Sequence, residues 1–136
     1  MSQQQRMALP LAHQNHYLSN EQLAYFQSIL TDLRKRLQAE YSESRQRIRH
    51  QDESGGDIVD QSIKESRTTM EMINFSRKRQ LLEQVEAALQ RMMDGSYGYC
   101  LLTDEEIGFE RLRSYPIAPL SVESQELMER RRHWNS

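Results

Sequence analysis

The sequence lacks the features of several protein classes. Cys100 is the single cysteine, which excludes an internal disulfide framework and is typical of a reducing compartment. The apolar stretch at residues 8–12 is too short, and too interrupted by proline, for a signal peptide. No segment approaches the ~20 consecutive apolar residues of a membrane span. We therefore expect a cytoplasmic protein that has no membrane partner.

The sequence also lacks an excess of charge of one sign. Its formal net charge is −2, so it has no overall basic footprint with which to neutralise phosphates, and we expect no direct sequence-specific DNA binding. Only 37% of the residues are hydrophobic. That share is low for a globular protein and favours elongated helices with a narrow buried seam.

A first helix is predicted from about Asn20 to His50. Ser19 and Gln22 have the Ser-x-x-Gln spacing of a capping box at its start. Apolar side chains then recur at steps of three and four, which is the spacing of a coiled-coil seam. The expected seam residues are Leu23, Phe26, Leu30, Leu33, Leu37, Tyr41, Ser44 and Ile48.

A second helix is predicted from near Asp57 to about Asp94, after a polar break that contains Gly55 and Gly56. Gly95 is the expected C-terminal cap. The expected inner face of this helix comprises Val59, Ile63, Ser66, Met70, Ile73, Leu81, Val85, Ala88 and Met92. Two helices of matching length with a short connection pack antiparallel. The pattern therefore predicts a coiled-coil hairpin over residues 19–94, with its tip at 51–62.

The flanking segments differ from the hairpin. Residues 1–18 are predicted to form a flexible N-terminal tail, and residues 95–120, with their glycines and prolines, a small turn-rich lobe. Ser121 is the expected cap of a C-terminal helix over residues 121–136. The predicted fold class is mainly α: a long antiparallel two-helix hairpin, a small globular lobe and a C-terminal helix.

Asp57 and Asp60 are the candidate functional residues at the tip. Acids at the start of a helix accept hydrogen bonds from unpaired amides and complement the helix dipole, so a capping role is the simple interpretation. Residues three apart also share one face of a helix. A carboxylate pair on a rigid arm could therefore engage a basic or metal-bearing site in a larger partner.

The lobe contains a more specific signature. It consists of Asp94-Gly-Ser-Tyr-Gly-Tyr-Cys100, followed by Glu106-Ile107-Gly108 and by Arg111-Leu112. This pattern resembles the DksA/TraR family of bacterial transcription factors, in which Tyr-Gly-x-Cys-x-x-Cys opens a zinc finger, and the likeness extends over about residues 17–129. The tip motif of that family is Asp-x-x-Asp-x-Ala. Asp57 and Asp60 match its acids, and Ser62 stands in place of the alanine.

The metal positions depart from the family pattern. Where the family has four cysteines, this chain has Cys100, Thr103, Ser121 and Ser124. Hydroxyls do not ionise near neutral pH to serve as zinc ligands, so we expect no structural zinc. The chain thus resembles the cysteine-poor, zinc-independent members, and its degenerate finger should be held by apolar burial. The expected lobe core is Leu101, Leu102, Ile107, Phe109, Leu112, Tyr115, Ile117 and Leu120.

The resemblance implies a function as well as a fold. It implies a monomeric, non-enzymatic factor that binds RNA polymerase and inserts its tip, with Asp57, Asp60 and Ser62, into the secondary channel. Such a factor destabilises open complexes at ribosomal RNA promoters in the stringent response. It acts together with the alarmone ppGpp, which binds at the shared interface.

The resemblance also implies contacts outside the tip. Arg77, Arg79 and Arg111 match basic positions of the family and are candidate contacts to polymerase or ppGpp. Other family positions that are basic are polar here, namely Gln84, Tyr115 and Gln125. The strength of ppGpp synergy is therefore left open by the sequence.

Two other classes of function are considered. A structural or adaptor hairpin would need only the seam. A metal-dependent hydrolase would need further ligands near the tip, such as Asp52 and Glu53. Acids on an exposed loop, without a histidine or a cleft, are a poor basis for an enzyme.

Overall fold

The protein is built from helices in the part of the chain that the structure describes. The computed structural model describes residues 17–53 and 61–135; for residues 51–53 and 61–62 it gives the helix without the side chains. Its helices are α1 (Asn20–Glu53), α2 (Gln61–Asp94), α3 (Phe109–Ser114) and α4 (Val122–Trp134). The predicted mainly α fold class is confirmed, and α1 ends three residues later than expected. No helix of the described ranges has the length and hydropathy needed to cross a bilayer.

The two ends of the hairpin helices that lie near the lobe residues are capped as predicted. The Ser19 amide donates to Gln22 Oε1 at 2.8 Å, and the Gln22 amide donates to Ser19 Oγ at 3.1 Å. This reciprocal pair is the predicted capping box. Gly95 has a φ of 82°, and the Ser96 amide beyond it donates to Arg91 O at 2.9 Å. Glycine adopts that left-handed conformation without the steric cost that other residues incur.

The described residues divide into two compact units. The first, which we call the lobe unit, combines the chain up to Thr31 with Val85–Ser136; the second, the hairpin unit, is Asp32–Gln84. Helices α1 and α2 each contribute residues to both units. The units are described separately below.

Phe26 lies at the centre of the lobe unit. Its side chain is fully buried, and its ring centroid lies 5.8 Å from that of Tyr97 and 5.6 Å from that of Phe109. These are ordinary distances for interacting aromatic rings. The other buried apolar residues of this unit are Leu18, Leu23, Leu30, Val85, Ala88, Met92, Cys100, Ile107, Leu112, Ile117 and Ala118.

The start of the described chain packs on the lobe. Leu18 is buried, and the Tyr17 hydroxyl donates to Gly98 O at 2.8 Å. Gly98 has a φ of 91°, and a Cβ at this position would lie 2.9 Å from the Tyr17 hydroxyl. No other residue type fits there without displacing Tyr17. Tyr17 and Leu18, which the sequence analysis assigns to the N-terminal tail, thus contribute to the lobe unit.

The predicted core of the lobe is partly wrong. Leu101, Leu102 and Tyr115 are exposed, the two leucines by 60% and 56%. The chain turns back between Cys100 and Glu105, and the amide of Cys100 donates to Glu105 O at 2.7 Å. This turn places the leucines at its outer side, and other side chains fill the core instead. The buried residues that the sequence analysis omits from the lobe core are Leu18, Tyr97, Cys100 and Ala118.

In the hairpin unit the two long helices pack against each other. Tyr41 of α1 stacks on Phe75 of α2, with ring centroids 4.7 Å apart and planes inclined by 23°. Ser44 is buried, and its hydroxyl accepts hydrogen bonds from Lys78 at 3.2 Å and from Arg47 at 3.1 Å. All the predicted seam positions of α1 are buried or half-buried, which confirms that seam.

The predicted inner face of α2 is wrong at four positions of the hairpin unit, whereas Leu81 is half-buried as predicted and Val59 lies outside the described residues. Ile63, Ser66, Met70 and Ile73 are all exposed. The half-buried residues instead include Thr68, Glu71, Phe75, Lys78 and Leu82. This series continues the alternating three- and four-residue steps back from Val85, as a coiled-coil seam requires. The more apolar side chains of this segment therefore do not mark the heptad positions that face α1.

The revised seam yields a prediction for two neighbouring positions. Replacing Phe75 with alanine removes a ring stacked on Tyr41 and should reduce the free energy of unfolding by about 2–3 kcal/mol, less than for a fully buried Phe. Ile73→Ala removes a side chain that is already 42% exposed and should cost less than ~0.5 kcal/mol. Urea denaturation of the two variants measures both values. A larger decrease in the free energy of unfolding for Ile73→Ala than for Phe75→Ala would show that the seam predicted from the sequence is correct.

Candidate functional site

The acidic tip lies outside the described residues. Asp57 and Asp60 fall between the end of α1 at Glu53 and the start of α2 at Gln61. Ser62 belongs to the first turn of α2, but its side chain is not described. The roles predicted for these three residues therefore remain predictions.

Arg77 and Arg79 lie on α2 in the hairpin unit and are both exposed. Residues two apart on an α-helix project about 200° from one another, so these two guanidinium groups do not form one patch. Arg79 Nε lies 3.9 Å from Glu83 Oε1, and both side chains are more than half exposed. An exposed pair of this kind adds little stability, so either arginine is available to a partner.

Arg111 has a structural role within the lobe unit. Its Nε donates to Leu120 O at 2.9 Å, and its guanidinium carbon lies 5.6 Å from the centroid of the Tyr115 ring. The hydrogen bond ties α3 to the segment that precedes α4. The Tyr115 contact is a cation–π geometry. Arg111 therefore positions the lobe whether or not it also contacts a partner.

The four residues at the degenerate metal positions come together in the lobe unit. Cys100 Sγ donates to Ser124 Oγ at 3.3 Å, and the Ser124 amide donates to Ser121 Oγ at 3.2 Å. The Thr103 hydroxyl is close enough to the Cys100 sulfur to lower the pKa of the thiol. Ser121 also caps α4, as the sequence predicts. The chain thus keeps the layout of a metal knuckle with hydroxyl groups at three of its four corners.

The environment of Cys100 acts on its ionisation in two directions. The side chain is buried, and burial raises the pKa of the thiol. Hydrogen bonds to the sulfur lower the pKa, and together they outweigh the effect of burial. They involve the hydroxyls of Ser124 and Thr103 and the amides of Ser121 and Leu102. The net result is a pKa of about 6. Sulfur is acidified here by hydrogen-bond donors alone, without a neighbouring cation.

The donor set does not fit a structural zinc ion. Such sites use four thiolate or imidazole ligands, or a carboxylate in place of one of them. Here a single thiol faces three hydroxyls, and no group of three His, Cys, Asp or Glu side chains suited to a metal ion occurs within residues 17–53 and 61–135. Hydrogen bonds and apolar packing hold the loops that a metal would otherwise join.

Two polar side chains fix the lobe in a way that was not predicted from the sequence: Tyr97, which is buried, and Arg91, which is half-buried. The Tyr97 hydroxyl donates to Pro116 O at 2.8 Å, and Arg91 Nη2 donates to Ile117 O at 3.3 Å. Burial raises the pKa of Tyr97 and lowers the pKa of Arg91. Both side chains attach the end of α2 to the segment that follows α3. The Tyr-Gly-Tyr sequence at residues 97–99 was the one available signal for Tyr97.

Comparison with known proteins identifies the family to which this architecture belongs. A family model described as "DnaK suppressor protein DksA, N-terminal domain" matches residues 22–92, which is more than half of the chain. The chain belongs to the DksA family. The resemblance given by the lobe signature is thereby confirmed, and the match covers both helices of the hairpin.

Curated DksA proteins align with most of this sequence. The protein from Caulobacter vibrioides (strain NA1000 / CB15N) is 36% identical over 115 residues, covering 85% of this chain and 81% of its own length. The protein from Escherichia coli (strain K12) is 31% identical over 113 residues, covering 83% and 75%. Both are named RNA polymerase-binding transcription factor DksA.

The fold also matches a solved DksA structure. Transcription factor DksA2 from Pseudomonas aeruginosa superposes with a TM-score of 0.76 and 30% identity, over 97% of this chain and 99% of its own. The DksA fold therefore extends through the lobe and α4 as well as the hairpin. In this DksA-family chain the lobe unit contains the hydroxyl-lined Cys100 site.

The Cys100 site yields a prediction for pH dependence. Thiolate absorbance near 240 nm should titrate with a midpoint of about 6, and Ser124→Ala should raise that midpoint by removing the hydroxyl that is hydrogen-bonded to the sulfur. The folded-state pKa of Cys100 lies below its ordinary value near 9. The Cys100 thiolate should therefore contribute its full stabilisation of the fold above pH 9. This contribution should decline as the pH falls toward 6.

Cys100→Ala provides the control for both measurements. It removes the absorbance change, and its unfolding free energy should lack the rise with pH that the wild type shows between 6 and 9. A wild-type midpoint above 9 would show that burial outweighs the hydrogen bonds.

Proposed function

We propose that this chain is an RNA polymerase-binding transcription factor that works in the cytoplasm. The observation that carries the proposal is its similarity to relatives named RNA polymerase-binding transcription factor DksA, at 36% identity over 85% of this chain. The similarity of its fold to DksA2 over 97% of the chain supports the same conclusion. The factor acts as a monomer, without catalysis and without sequence-specific DNA contacts.

In the proposed mechanism the tip of the hairpin inserts into the secondary channel of the polymerase. Asp57 and Asp60 enter the channel at the end of the hairpin, with the small Ser62 beside them. The tip contacts favour one state of the polymerase over another. A ligand shifts such an equilibrium only by its difference in affinity for the two states. Open complexes that are already short-lived, such as those at ribosomal RNA promoters, are therefore affected most.

Zinc independence is part of the proposal. The lobe unit contains a continuous apolar core around Phe26, Tyr97 and Phe109, and further hydrogen bonds from Tyr97 and Arg91 connect its loops. These interactions supply the cross-links that a metal provides in other fingers. The factor should remain active where zinc is scarce.

An adaptor role that needs only the hairpin is the rival function. It predicts that the tip carboxylates are dispensable. The proposed factor instead needs their charge for its effect on transcription, and much less for its fold or its binding to polymerase. Substitution at the tip distinguishes the two.

The central test is in vitro transcription from a ribosomal RNA promoter. Wild-type protein should inhibit transcription, and Asp60→Asn should lose at least about tenfold in potency, a change equivalent to about 1.4 kcal/mol. Asp32→Asn is the matched control, because Asp32 is an exposed carboxylate on α1. Inhibition that survives in Asp60→Asn would favour the adaptor role.

A chelator separates zinc dependence from the rest of the proposal. Wild-type inhibition should be unchanged after the protein is treated with a strong zinc chelator that is then removed before polymerase is added. Collapse of inhibition under this treatment would refute zinc independence while leaving polymerase regulation in place.

We also propose that ppGpp strengthens the action of this factor at the shared interface. Arg77 and Arg79 are exposed on different faces of α2, so one of the two is the candidate to meet its phosphates; arginine is well suited to phosphate recognition. The polar residues Gln84 and Gln125 supply no positive charge. The synergy should therefore be weaker than in a fully basic site.

The ppGpp proposal predicts separable effects. Arg77→Gln should reduce the stimulation of inhibition by ppGpp several-fold, while inhibition without ppGpp changes less. Arg45→Gln is the control, because Arg45 is an exposed arginine of α1 in the same unit. Equal losses with and without ppGpp would assign Arg77 to polymerase binding alone.

A further inference from the structure

The turn that follows Cys100 presents two adjacent leucines to solvent. Leu101 is 60% exposed and Leu102 is 56% exposed. They occupy the positions between Cys100 and Thr103, at the outer side of the degenerate knuckle. Single exposed leucines are common on protein surfaces and need no explanation, but two adjacent ones held in a fixed turn form a small apolar projection that a partner can cover.

Backbone hydrogen bonds fix this turn. The Cys100 amide donates to Glu105 O at 2.7 Å, and the Asp104 amide donates to Cys100 O at 2.9 Å. The Leu101 amide donates to Pro119 O at 2.9 Å, which attaches the turn to the segment before α4. The leucines are therefore held outside the core. A preorganised apolar group loses little conformational entropy when it binds.

The charged residues next to the leucines in the sequence are of one sign. Asp104, Glu105 and Glu106 are all exposed, and residues 100–109 include no lysine or arginine. An apolar tip with an acidic border is complementary to an apolar groove with a cationic border. Nucleic acid and anionic membranes do not fit, because their phosphates would face these carboxylates.

We propose that Leu101 and Leu102, bordered by Asp104 and Glu105, form a docking surface that seats in an apolar, cation-bordered groove on RNA polymerase. This inference rests on the proposed function and adds a second contact, in the lobe unit, to the tip contact. The leucines supply affinity by apolar burial. The carboxylates supply orientation and a dependence on salt concentration.

The test measures binding of fluorescently labelled full-length protein to RNA polymerase. The Leu101→Ala/Leu102→Ala variant should raise the Kd by about ten- to a hundredfold, since buried apolar anchors dominate interface energetics. Leu127→Ala is the matched control, because Leu127 is a 44% exposed leucine on α4 of the same unit. It should leave the Kd unchanged.

A second variant tests the acidic border. Asp104→Asn/Glu105→Gln keeps the shape of both side chains, and asparagine tolerates the positive φ of 62° at position 104. This variant should weaken binding several-fold at low salt and much less at high salt. Glu126→Gln, an exposed carboxylate on α4, is its control. Both leucine and acid variants should melt within a few degrees of the wild type, since the altered side chains are exposed.

The outcomes separate this inference from the proposed function. If the double-alanine variant binds polymerase with the same Kd as the wild type, the docking surface is refuted and the proposed function is unaffected. Wild-type protein that fails to bind polymerase would overturn both. Sedimentation that shows a wild-type dimer, converted to monomer by the double-alanine variant, would assign the leucines to a second copy of the chain and also overturn the inference.

Discussion

The lobe unit depends on the burial of the Phe26 ring between Tyr97 and Phe109. These residues come from α1, from the turn after α2 and from the start of α3, so one aromatic cluster joins three segments that are distant in sequence. Aromatic side chains bury large apolar areas and have preferred contact geometries. This cluster joins the segments by direct apolar contact, which supports our proposal that the lobe does not need zinc. Tyr17 and Leu18 then close one side of the same unit.

Local signals in the sequence were sufficient for the helix ends and for α1. The capping box at Ser19, the left-handed Gly95 and the Ser121 cap depend on residues within one or two turns, and each is present in the structure. The seam of α2 in the hairpin unit was not predictable in this way, since its phase is set by the partner helix. Glu71 and Lys78 lie on the seam while Met70 and Ile73 lie outside it. Glu71 Oε2 has no hydrogen-bond partner among the described residues. Hydrophobicity alone therefore gave the wrong face.

The candidate site shows the same division between local pattern and tertiary context. The spacing of the family motif assigns Cys100, Thr103, Ser121 and Ser124 to one site, and in the structure these residues lie close together. The sequence did not reveal that amides and hydroxyls would converge on the sulfur and acidify it. It also did not show that the turn formed by these hydrogen bonds leaves Leu101 and Leu102 outside the core. Both results depend on backbone directions within the turn, which residue types alone do not determine.

Replacing thiolates by hydroxyls changes how the lobe tolerates damage. In a zinc finger one ion joins all four corners, so its loss releases every loop at once. In this chain the corners are joined by separate hydrogen bonds, each with a modest net contribution, and the aromatic core lies beside them. Removal of one bond leaves the others in place. Of the four corners, only the buried Cys100 has a sulfur that oxidants can modify. Its hydrogen bond is one of several contacts that hold the lobe. A lobe built in this way would keep the proposed docking surface in position under the zinc-poor conditions in which we propose that the factor works.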